Sequence, residues 1–199
     1  MGFPMAVALL VILGSLLVVW ARTDREATSA PRVGEHWHST YDIYVCDSYR
    51  SKILLETDPN GIHSHGDGVL HIHPFNKLAS GRDATLGEFF SAFGGHIDDT
   101  TLVLDTGEEL VEGAGCGGEP MVLKVARFDA DDMERDPEIV TEDPAGVRFL
   151  KNREAFTIAM VPADVDPPAP RPERLTFLVM VSPNALTSNP SAPAPTTSV

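Results

Sequence analysis

Positive charge is scarce in this sequence. Fifteen lysines and arginines stand against 29 aspartates and glutamates, a formal net charge of −14 over 199 residues. Such a surface repels phosphate backbones and anionic headgroups, which argues against nucleic acid as a partner and suits a cation. Cysteine is nearly absent, with only Cys46 and Cys116. Two cysteines in a chain that begins like an exported protein read as one disulfide. By closing a loop of about 70 residues it contributes roughly 4 kcal/mol in the chain-entropy model. That pairing leaves no thiolate to bind a metal or attack a substrate. The serines lack a nucleophile elbow. The glycine-rich run 113–118 (GAGCGG) has neither the spacing nor the lysine of a phosphate loop. The acidic stretch 129–143 does not match an EF-hand loop and reads as a solvated segment.

Residues 3–21 (FPMAVALLVILGSLLVVWA) lack any charged side chain. As a helix this run reaches about 28 Å, close to the thickness of a bilayer's hydrocarbon core. No lysine or arginine precedes it, and Val19-Trp20-Ala21 is an indifferent cleavage site, so an uncleaved transmembrane anchor is expected over 1–21 rather than a secretory signal. Arg22 and Arg25 would nominally hold the following side in the cytoplasm, but long domains translocate with little regard to charge. The cysteine pair favours an oxidising compartment. The expectation is a single-pass protein of the cell membrane, with its domain on the extracytoplasmic side. A linker follows over 22–34, then one domain over 35–181. A Pro/Ser/Thr tail over 182–199 has too little apolar surface to fold.

What the sequence does have is histidine in pairs. All seven histidines lie between positions 36 and 96, and six form three His-x-His pairs: His36/His38, His63/His65 and His71/His73. Residues two apart on a strand share a face, about 6 to 7 Å apart, so each pair can grip one metal ion. The run from His36 to Cys46 alternates, with Trp37, Tyr41, Ile43 and Val45 on the apolar parity and His36, His38, Thr40 and Asp42 opposite. Residues 62–73 form two short alternating runs around Gly66-Asp67-Gly68, a hairpin signal. A two-residue turn would split the histidine pairs between two faces. A three-residue loop pairs His63 with His71 and unites His63, His65, His71 and His73, leaving Ile62, Ser64, Leu70 and Ile72 on an apolar face, and this is the register a half-buried hairpin requires. The predicted ligands are therefore His63, His65, His71 and His73, joined by His36 and His38 if their strand lies beside the hairpin. Asp67 and Asp42 are carboxylate ligands or supporting groups. Imidazole suits zinc or copper. His96 is read as a solvated residue.

Further along, Thr85-Leu-Gly-Glu88 is a capping box for a short helix that carries Leu86, Phe89, Phe90 and Phe93 inward and stops at Gly94-Gly95. Strands are predicted at 101–104, 121–128 and 155–161, with a further one at 175–181. Together these give an α+β domain with a mixed or antiparallel sheet and one short helix, similar in element order to the ubiquitin-like β-grasp.

Two familiar motifs fail. His63-Ser-His65-Gly-Asp67 resembles the metal-binding run of metallo-β-lactamase-like hydrolases, but Gly68 stands where their next histidine would be. Cupins follow their His-x-His with a glutamate that is missing here. The strings GEHWH (34–38), YVC (44–46), GIHSHGDG (61–68), HIHPF (71–75) and ATLG (84–87) resemble an uncharacterised family of bacterial single-pass membrane-anchored proteins. The resemblance covers residues 34–94, and more weakly 156–162. It implies membrane anchoring and supplies no activity. Three readings follow: a tethered transition-metal-binding domain, an interaction module or accessory subunit with a membrane-protein partner, and a metal-dependent enzyme using Asp67, Asp42 or Glu88 as base.

Overall fold

The computed structural model describes residues 2–27, 30–55 and 58–182. The tail expected over 182–199 lies, beyond Ser182, outside them. The chain opens with helix α1, Gly2–Ala27. This helix runs through residues 22–27, which the sequence reading had assigned to a linker. Its described side chains, Met5 and residues 7–21, are exposed. Among the described residues no helix is long and apolar enough to cross a membrane.

The body is α+β, as expected. Its strands are β1 (Trp37–Val45), β2 (Ser48–Tyr49), β3 (Ile62–His63), β4 (Val69–Ile72), β5 (His96–Ile97), β6 (Thr101–Val103), β7 (Glu109–Val111), β8 (Gly115–Cys116), β9 (Glu119–Asp129), β10 (Glu138–Val140) and β11 (Glu154–Pro162). The helices are α2 (Leu86–Ala92) and α3 (Pro172–Val181). The main sheet is mixed, in the order β10-β9-β11-β1-β4-β3. Only β1 and β11 in it run parallel, with Ile43 opposite Ile158. A second sheet, β5-β6-β7, is not hydrogen-bonded to the first but shares its core through Ile97, Leu102 and Leu110.

Alternation divides the main sheet into two faces. Tyr41, Ile43 and Val45 of β1, Ile62 of β3 and Leu70 and Ile72 of β4 point into one core with Leu86, Phe89 and Phe90 of α2. Thr85 caps α2 as expected, its hydroxyl accepting from the Glu88 amide at 3.2 Å. Glu88 does not complete the predicted capping box. Its carboxylate accepts instead from Asn60 Nδ2 at 2.9 Å, anchoring the loop before β3.

The strand predicted at 175–181 is helical. Pro172 starts α3 at its first turn with Glu173 beside it, both favoured at a helix N-terminus. A short apolar run cannot be told from a buried strand by periodicity alone. Arg174 and Leu178, one turn apart, are its buried residues. This helix covers the second face of the sheet over Thr40, Asp42 and Val69, all nearly inaccessible. The domain therefore has two helices after α1, not one. The half of that face left uncovered carries the histidines.

The disulfide between Cys46 and Cys116 is formed, with the Cα atoms 5.3 Å apart.

Candidate metal centre

Three neighbouring strands set the centre. His63 of β3 lies opposite His71 of β4, the register that the hydrophobic pattern requires. His71 in turn lies opposite His38 of β1. One row of three imidazoles thus crosses the sheet, and the second member of each pair sits two residues along the same face. Ring centroids are 4.6 Å apart for His36/His38, 4.9 Å for His38/His71 and 5.1 Å for His36/His73. They are 4.8 Å apart for His63/His73 and 4.7 Å for both His63/His65 and His65/His71. All six rings form one continuous cluster.

The loop between the strands differs from the three-residue turn predicted. Pairing of β3 with β4 ends at His63, and His65 bridges to Leu54 rather than to Val69. Local bonds compete for the ladder positions: Asp67 Oδ1 accepts from the Val69 amide, and the Gly68 carbonyl accepts from the Tyr41 amide and the Thr40 hydroxyl. The face that the histidines share survives this change, because the register is held at His63 and His71.

Two carboxylates meet the cluster. Asp67 Oδ2 is 3.7 Å from His71 Nε2. Asp58 Oδ2 is 3.1 Å from His63 Nδ1 and 3.3 Å from His73 Nε2. Asp58 is absent from the sequence-based expectation, which names Asp67 and Asp42 as the carboxylates beside the histidines. Its signal was the turn string Asp58-Pro-Asn-Gly61 immediately before His63, in which Asp58 Oδ1 accepts from the Gly61 amide at 2.7 Å. Gly61 has φ +95°, and a Cβ there would come within 2.5 Å of the His73 carbonyl oxygen. Only glycine lets this turn close against β4.

Asp42 shares the histidine parity on β1 but does not join them. Its carboxylate accepts from Arg171 Nη2 at 2.6 Å and Arg174 Nε at 2.9 Å, both on or beside α3. Burial pushes its pKa up, and these guanidinium bonds outweigh that effect and hold it below the ordinary value. His96 stands apart, exposed, with Nε2 2.8 Å from Asp98 Oδ2.

Burial first, and neighbouring imidazoles second, lower the pKa values of His36 and His38. Burial lowers His63 against the opposing pull of Asp58. His71 falls to about 4, through burial and then His38. These rings are neutral near pH 7 and available as ligands. Two sets have ligand atoms all within 4.8 Å of one another: His36, His38 and His71, and Asp58, His63 and His73. Residues with the chemistry to hold a metal ion are thus grouped here. The chain matches no family model, no curated protein and no solved structure at a significant level.

Proposed function

We propose that this chain is a membrane-tethered, extracytoplasmic domain that binds a transition-metal ion, zinc or copper, for capture, delivery or sensing. The observation that carries the reading is the convergence of six imidazoles from three adjacent strands on one half-open face. Most of these rings are held neutral, and two carboxylates stand beside them. An acidic chain favours cation capture electrostatically. The uncharged run 3–21 supports the tether, and the disulfide supports an oxidising compartment. The motif strings support membership of the bacterial membrane-anchored family they resemble. The pairing of the first strand antiparallel to β4 and parallel to the last strand, with α2 packed on that sheet, supports a β-grasp variant.

The test is metal analysis of the purified full chain in detergent after dialysis and challenge with zinc or copper(II). At least one equivalent is expected, and the double variant H63A/H71A, altered on the face opposite the core, is expected to lose it while keeping its circular dichroism. Less than a tenth of an equivalent, with no uptake on challenge, leaves the histidines as a structural network in an interaction module.

A further inference from the structure

We infer that the histidine face holds two divalent transition-metal ions, one taken by His36, His38 and His71 and the other by His63, His73 and Asp58. This rests on the metal-binding reading above and extends it in ion number and in ligand set. The two sets share no residue, and each brings its ligand atoms within 4.8 Å of one another. Six imidazoles and two carboxylates exceed the four ligands that a zinc ion takes in a closed site.

Each set also contains a buried ring nitrogen with no hydrogen-bond partner, His71 Nε2 in the first and His63 Nδ1 in the second. An unsatisfied buried polar atom is destabilising, and coordination removes that cost. The second case is the more telling. His63 Nδ1 is buried and 3.1 Å from Asp58 Oδ2. Two ligands on a tetrahedral ion at 2.0–2.1 Å lie about 3.3–3.4 Å apart and point to a common centre rather than to one another. The 3.1 and 3.3 Å separations of Asp58 Oδ2 from His63 and His73 are near that edge length.

The carboxylates are distributed one to a set. Asp58 fixes Oδ1 on the Gly61 amide and turns Oδ2 to His63 and His73. Asp67 fixes Oδ1 on the Val69 amide and turns Oδ2 to His71. Each ion would thus have a negative group at hand, which offsets the repulsion between two nearby cations. His65 lies beside both sets, its ring 4.7 Å from both His63 and His71 and its Nε2 3.1 Å from His63 Nε2, and it belongs to neither group of three. Nitrogen with carboxylate oxygen suits zinc or copper(II) rather than calcium or magnesium.

The experiment counts ions in the full chain after zinc or copper(II) loading and dialysis. Wild type is expected to hold two equivalents. Asp58→Asn keeps an acceptor for the Gly61 amide and is expected to hold one. His36→Ala, at an exposed ring, is expected to hold one as well, and the combined variant none. A wild type that holds a single equivalent, or either single variant that still holds two, overturns the two-ion assignment and leaves the metal-binding reading standing. A wild type that takes up no metal removes both. If Asp58→Asn fails to fold by circular dichroism, His36→Ala carries the count alone, since its side chain is exposed.

Discussion

Asp58 and Asp67 solve the same local problem in the same way. Each spends one carboxylate oxygen on a backbone amide two or three residues ahead, which fixes the side chain and leaves the other oxygen facing an imidazole. The turn at Asp58 works only because Gly61 accepts a positive φ and a Cβ-free approach to β4. Gly61→Ala is expected to cost about 1–3 kcal/mol from backbone strain alone, read as a lower urea midpoint, and to weaken metal retention by displacing His73. Asp42 shows how parity can mislead. It alternates with the histidines along β1, yet α3 covers its end of the strand and two arginines take its charge. Removing that carboxylate leaves Arg174, 4 % exposed, without its counter-charge. Asp42→Ala is therefore expected to destabilise the domain by about 3–5 kcal/mol in chemical denaturation, with metal content in the remaining folded fraction unchanged.

Among the elements, β4 matters most to the site. It pairs with β3 on one side and β1 on the other, and the row His38–His71–His63 exists because all three strands hold register at those residues. The hairpin register was legible in the sequence, because Ile62, Leu70 and Ile72 had to share a buried face. The length of the loop was not, since hydrogen bonds from β1 and within the loop decide where the ladder stops. The capping threonine of α2 was legible, while the partner of Glu88 lies 28 residues upstream at Asn60 and could not be. The last element is a helix where the sequence suggests a strand, because its apolar run has no period that separates the two and only the proline at its start favours a helix. The disulfide joins the end of β1 to β8 across 70 residues. Reduction by dithiothreitol is expected to lower stability by about 4 kcal/mol in the chain-entropy model, seen as a fall in Tm, without separating β1 from β4.

For the whole molecule, acid is the natural stress. An unfolded chain protonates its histidines near 6.5, whereas burial and mutual repulsion delay protonation of His36, His38, His63 and His71 in the folded domain, the last to about 4. Over that window the unfolded state binds more protons, so stability falls as pH falls from about 6.5. Asp42, with its pKa held below 3.8, contributes stability that is present above that value and lost at still lower pH. Denaturation midpoints of the metal-free chain are expected to drop between pH 7 and pH 4, and a flat profile would contradict the burial of these rings. The sequence by itself determined the α+β class, the cysteine pairing, the parity of the histidines and the acidic surface, because each depends on local period, count or charge. Tertiary structure alone decided that β1 lies against β4, that α3 shields Asp42 and stops short of the histidine face, and that Asp58 reaches His63 and His73. Those outcomes depend on which distant segments pack together, and no spacing along the chain encodes that contact directly.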